Sequence, residues 1–193
     1  MLSRRTFLAT ASAFALLGAG PAAAVTRDAA TTLVSQLVAE VNAVIASGKS
    51  ESAMLSDFEA IFLRYADVPT IAAYVLGPAR RTASAAEVTA FTRAYATYVA
   101  RRYGSRFREF IGGAVEVVGA RDLPRGVEVE TRAVLRGQSP FRVDFHVEDS
   151  NGRPLFFNLV IEGVNMLLSE RQEVLAMLDQ RGGSLPRLIA DIS

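Results

Sequence analysis

The chain has no cysteine, no tryptophan, one histidine and one lysine in 193 residues. Without cysteine there is no disulfide, no thiolate metal site and no anchor for N-terminal lipidation. A single histidine, His146, leaves little for metal ligation or for proton-transfer chemistry. No Gly-rich stretch has the spacing of a phosphate loop, and no G-x-S-x-G nucleophile elbow occurs. Strong charge of one sign is also missing: the net charge is +1. Without residues 1–24, which hold Arg4 and Arg5 and no acid, 19 basic residues face 20 acidic ones. That balance argues against a nucleic-acid partner, which needs a localised basic excess.

What the chain does have is apolar volume. Half of its residues are hydrophobic, and its large side chains include 11 Phe and 5 Tyr. Residues 1–24 read as an export signal of the twin-arginine type. Ser3-Arg4-Arg5-Thr6-Phe7-Leu8 precedes an apolar run to Gly18, and Ala22-Ala23-Ala24 supplies the small residues of a cleavage site before Val25. The run is shorter than the roughly 20 residues a membrane span requires. Residues 25–193 are then a single exported domain.

Helical spacing dominates its first part. Leu33, Leu37, Val41, Val44 and Ile45 mark one helix, which Gly48 stops; Met54, Leu55, Phe58, Ile61, Phe62 and Tyr65 mark a second. Asp67 and Pro69 open a short third helix, Val68 to Leu76, which Gly77-Pro78 ends. Ser84 and Glu87 form a capping box for a long fourth helix running through Phe91, Tyr95, Tyr98, Val99 and Tyr103 to Phe107 and Phe110. After Gly112-Gly113 the period changes from 3.6 to 2. A short strand spans 114–119. Val127, Val129, Thr131 and Ala133 alternate with charged residues, as do Phe141, Val143, Phe145 and Val147. Leu155, Phe157, Leu159 and Ile161 alternate in turn with Phe156, Asn158, Val160 and Glu162. Asn151-Gly152 predicts a hairpin. Two helices close the chain. The expected class is α+β: a curved antiparallel sheet of about four strands, one face apolar and the other wet, with helices packed on one face and an apolar ligand cavity within.

Chemistry is scarce. His146 lies between Asp144 and Glu148 on the polar side of its strand, a pattern that fits a solvated histidine better than a general base. The pairs Arg80-Arg81 and Arg101-Arg102 are candidates to meet an anionic head group. The long helix and the sheet's inner face offer Phe, Tyr, Val and Leu. Composition leaves open whether they form a solid core or line a cavity.

Two segments resemble a known family. Phe62-Leu63-Arg64-Tyr65-Ala66-Asp67-Val68-Pro69-Thr70-Ile71-Ala72-Ala73-Tyr74-Val75-Leu76-Gly77, and Phe156-Phe157-Asn158-Leu159-Val160-Ile161-Glu162-Gly163-Val164 continuing to Arg171, are similar to the MlaC (toluene-tolerance) family. The chain departs from that family's pattern at Ala79, where Trp is usual before the Arg, and at Asn165, where Ser is usual. The resemblance implies a periplasmic, monomeric, non-enzymatic phospholipid carrier without cofactors. Its partners would be an inner-membrane MCE-domain protein of an ABC transporter and an outer-membrane lipoprotein complex. Under that reading Tyr65, Ile71, Val75 and Leu76 sit at the cavity mouth. Tyr95, Val99 and Tyr103 line it from the long helix, and Val129, Val143, Phe145, Phe157, Leu159 and Ile161 line it from the sheet. The alternatives are an enzyme on a related cone-shaped fold using Asp144 and His146, a binder of hopanoids or other apolar ligands, and a structural adaptor with a filled core.

Overall fold

The structure, a computed structural model, describes residues 24–104, 112–150 and 152–193. The expected signal segment and the expected end of the long helix at Phe107 and Phe110 lie outside the described residues. Four helices come first: α1 (Arg27–Ile45), α2 (Glu51–Tyr65), α3 (Val68–Leu76) and α4 (Ala85–Gly104), with a 3₁₀ turn, Gly77–Arg81, between the last two. Side-chain caps start them where the sequence places capping residues. Thr70 N–H donates to Asp67 Oδ1 at 3.0 Å, and Ser84 and Glu87 bond reciprocally at 3.2 and 2.8 Å.

Five strands follow as an antiparallel meander in chain order: β1 (Ala114–Asp122), β2 (Val127–Val134), β3 (Phe141–Asp149), β4 (Pro154–Ile161) and β5 (Val164–Asn165). Then come α5 (Met166–Asp179) and α6 (Leu185–Ile192). The α+β class is as expected, with one short strand more. Gly126 ends the β1–β2 turn where only glycine fits: a Cβ there would stand 2.2 Å from the Val147 carbonyl oxygen, and its φ is +79°. Between β4 and β5, Glu162 and Gly163 both adopt positive φ, the geometry of a type I′ turn. Glu162 is held there by two bonds to Arg142: its N–H donates to the Arg142 carbonyl at 3.1 Å, and its carboxylate accepts from the Arg142 N–H.

The helices cover one side of the sheet. The helix lying along the strands is α1, which crosses from β1 toward β4, while α4 packs on α2, α3 and α6. The helix opposing the sheet is therefore α1 and not the long α4. Asn42 on α1 pins it, donating to the Val115 carbonyl at 2.9 Å and accepting from Val115 N–H at 3.0 Å.

One strand departs from simple alternation. His146 pairs with Asn158, and Val147 with Phe156, so β4 carries a bulge with Phe157 as the extra residue. Phe156 turns into the core, 5 % exposed, and meets Phe145 edge-on at 5.5 Å. Phe157 turns to the other side, beside the His146 ring at 6.0 Å. Truncation separates the two roles. Phe156→Ala should cost about 3–5 kcal/mol, and Phe157→Ala under about 2 kcal/mol. Urea unfolding of both variants measures the difference, and equal losses would contradict this register.

Candidate functional site

The apolar side of the sheet carries Val115, Val117 and Ala120 on β1, Val127 and Val129 on β2, Val143, Phe145 and Val147 on β3, and Phe156 and Leu159 on β4. All belong to, or pack against, a core that continues through α1, α2, α3 and α4. The residues expected to line a cavity divide into two groups. Val75, Leu76, Tyr95 and Val129 are fully enclosed, and Ile71, Tyr65 and Phe145 nearly so. A side chain with no surface open to a water-sized sphere borders neither solvent nor a void, so the first four line no cavity in this packing. Val99, Tyr103, Val143, Leu159 and Ile161 are half-buried. Three of them are register neighbours on the sheet: Val143 opposes Ile161, and Leu159 opposes Phe145 one pair further along the same face. The apolar side is therefore sealed in its middle and partly open along this run. Phe157 is the one expected lining residue on the wrong face, for the bulge described above. Phe156 takes its place, and period-2 reading had assigned it to the polar side.

The tyrosines are tied to the helix layer. Tyr65 donates its hydroxyl to Glu40 on α1 at 2.7 Å, beside an Arg64–Glu40 ion pair at 2.8 Å. Tyr95 and Tyr103, two turns apart on α4, both donate to the buried Glu170 carboxylate on α5, Tyr95 at 3.2 Å. This three-residue link joins α4 to α5, and nothing in the sequence spacing announces it.

The polar side of the sheet is not the wet face expected. Glu128 is 4 % exposed, and Asp144 and Asn158 are equally buried. Arg142 lies across the sheet, bonding Asp144 at 2.7 Å, Glu130 at 3.0 Å and Glu128 at 3.3 Å, while Arg121 reaches Glu128 at 2.6 Å. The arginine stems cover what alternation alone would leave in water. Burial pushes the Glu128 carboxyl up, but the hydrogen bond and charge of Arg121, with His146, hold it below the usual glutamate range. His146 is not a solvated side chain either: it is hydrogen-bonded on both nitrogens. Asn158 Oδ1 accepts from Leu167 N–H at 3.0 Å, which leaves its amide to donate to His146 Nδ1 at 3.3 Å. That order assigns the proton to Nε2, which donates to Glu128 Oε2 at 3.1 Å. Asp144 pairs with Arg142 rather than with His146. Both lie across the sheet from Phe145 and the apolar side, so no Asp–His pair faces an apolar substrate. Among the described residues no cluster of His, Asp and Glu has the makings of a metal site. No described helix is long and apolar enough to cross a membrane.

Two open concavities mark the outer surface. One of about 300 Å³ lies between α1 and α2, where Lys49–Asp57 and Arg64–Glu40 pairs cancel its charges. The other, about 430 Å³, lies at the end of α3.

The Glu170 link carries a pH dependence. Burial pushes the Tyr95 and Tyr103 phenols up, and Glu170 adds to it through its charge and hydrogen bonds. A raised folded pKa contributes stability that is complete below the ordinary tyrosine value of about 10 and is lost as pH rises above it. Unfolding free energy measured from pH 8 to 11 should fall in the upper part of that range. Glu170→Gln leaves one acceptor for two hydroxyls and should lower the unfolding free energy at pH 8 by about 1–2 kcal/mol, and an unchanged value would refute the link.

Comparisons with known proteins agree with this geometry. A fold search returns the phospholipid-binding protein from Ralstonia solanacearum, solved in complex with a phospholipid. It superposes with a TM-score of 0.72 at 17 % identity, covering 84 % of this chain and 94 % of that one. No curated protein matches the chain. The family model for MlaC protein matches residues 35–193, from the middle of α1 through α6. The chain belongs to the MlaC family.

Proposed function

We propose that this protein is a periplasmic carrier of phospholipid, non-enzymatic, that exchanges its cargo with membrane-bound partners. The match of the MlaC family over residues 35–193 carries the reading, and the solved phospholipid complex of the Ralstonia solanacearum protein, with the same fold, supports it. The partners are an inner-membrane ABC transporter with an MCE-domain component and an outer-membrane lipoprotein complex. Residues 1–24 act as a cleaved export signal. Helix α1, capped by Thr26 through a 3.2 Å bond from Ala29 N–H, starts just after the proposed cleavage point.

The physics of carriage needs no chemistry. Each acyl CH₂ withdrawn from water is worth about 0.8 kcal/mol, so two long chains supply a large driving force and spontaneous loss to water is slow. The middle of the apolar side is packed, so tails seat there only if the helix layer parts from the sheet. The partly open run at Val143, Leu159 and Ile161 is where that parting begins. Release then needs a partner that holds the layers apart or offers a competing apolar surface.

Native mass spectrometry of protein taken from the periplasm should show an adduct of phospholipid mass, recovered by organic extraction. An adduct with the mass of a hopanoid would change the cargo, and bare protein alone would refute carriage. Leu159→Trp, which fills the open run, should cut the extracted lipid severalfold. His146→Ala should leave lipid yield unchanged while lowering stability, because it strips partners from the buried Glu128 and Asn158.

A further inference from the structure

The concavity at the end of α3 is chemically unlike the one between α1 and α2. Its walls are Thr70, Ala73 and Tyr74 on α3, the Gly77–Arg81 turn, and Arg171 on α5. Three guanidinium groups, Arg80, Arg81 and Arg171, line it, and among the described residues its lining holds no acid. Among the described residues no carboxylate pairs with any of the three. The other arginine pair from the sequence is spent: Arg101 donates to the Ser193 carbonyl at 3.1 Å, and Arg102 pairs with Glu173 at 3.1 Å.

Arg171 is held in position. Its guanidinium stacks over the Tyr74 ring at 4.9 Å and donates to the Tyr74 carbonyl at 3.2 Å. It also passes so close to Gly77 that a Cβ there would stand 3.0 Å from Nη2, at a φ of +54°. Glycine at this turn thus admits the arginine as well as the left-handed backbone. One carbonyl bond leaves donors of the Arg171 fork unspent. The structural alternative is that these arginines only offset the carbonyl end of α3. That end carries about half a negative charge, against three positive side chains, so an excess of positive charge remains. Arg80 and Arg81 are exposed, and Tyr74 is partly so.

We propose that Arg80, Arg81 and Arg171 form a binding site for a phosphate-bearing anion at the C-terminal end of α3. Guanidinium forks match phosphate oxygens in pairs, and the Thr70 and Tyr74 hydroxyls stand in the same wall as further donors. The opposite side of α3 carries Ile71, Ala72, Val75 and Leu76 into the core. One helix therefore separates the anion site from the apolar interior. The phosphate can belong to the head group of a carried lipid, reached around Gly77, or to a free phosphate in solution. The site goes beyond lipid carriage and does not depend on it, because inorganic phosphate probes it without lipid.

The test is a phosphate titration of the delipidated protein at constant ionic strength, followed by amide NMR shifts. Saturable shifts confined to 70–81 and the neighbourhood of Arg171 are expected. Arg80→Ala with Arg81→Ala, two side chains with no partner among the described residues, should weaken binding by at least about tenfold. Thermal unfolding of that variant should match the parent. Repeating the titration on protein loaded with phosphatidylglycerol assigns the source. Loss of phosphate binding identifies the head group as the occupant, and undiminished binding identifies free phosphate. Shifts that do not saturate, or that persist undiminished in the double variant, would overturn the site.

Discussion

The helix layer is fastened to the sheet at Phe156. Its backbone carbonyl accepts from Asp67 N–H at 2.8 Å, and Asp67, itself buried, caps α3. Its ring meets Phe145 on the neighbouring strand and Phe62 on α2, the latter at 6.1 Å. One residue thus sets where α2 ends, where α3 begins and how both register on β4. The bulge makes this possible by shifting the alternation one residue, so that Phe156 rather than Phe157 faces the core. Helix α3 in turn places its apolar residues in the core and its polar end against α5.

The sheet shows how charged residues are buried without chemistry. Glu128, Asp144 and Asn158 are enclosed, yet each has partners, and no described buried side-chain nitrogen or oxygen goes without one. The net energy of such networks is small, because desolvation offsets most of the attraction. Their consequence is geometric: an unpaired Glu128 would be costly, so the register of β2, β3 and β4 that pairs it is enforced. His146 serves this network as a donor to Glu128 and an acceptor from Asn158. Its position between carboxylates is thereby explained without a catalytic role.

The proposed carriage requires that apolar cargo be held tightly and still be let go. Here the two demands fall on different surfaces. The interior offers hydrocarbon to hydrocarbon, where burial dominates and specificity is low. At the two outer concavities the charge is paired off between α1 and α2 and left positive at the end of α3. Helix α3 stands between these two surfaces, with Ile71, Ala72, Val75 and Leu76 in the core and Thr70, Ala73 and Tyr74 in the wall of the basic concavity.

Local physics was legible in the residues. Capping side chains at Asp67 and Ser84, the helix stop at Gly77-Pro78 and the switch from period 3.6 to period 2 after Gly112-Gly113 all state backbone preferences that neighbouring residues settle among themselves. The α+β class and most strand faces follow from them, and so does the family resemblance, whose motifs coincide with the α2–α3 junction and the β4–β5 turn. The rest depends on partners distant in the chain. Alternation cannot see a bulge, so Phe156 and Phe157 were exchanged. Polarity reads as exposure until Arg121 and Arg142 are laid across Glu128. The links from Tyr95 and Tyr103 to Glu170, and from Arg171 to Tyr74 and Gly77, join residues 67 to 97 positions apart in sequence. Which apolar side chains pack solidly and which stay half-open is likewise set by the sum of contacts from several elements, a quantity no single segment contains.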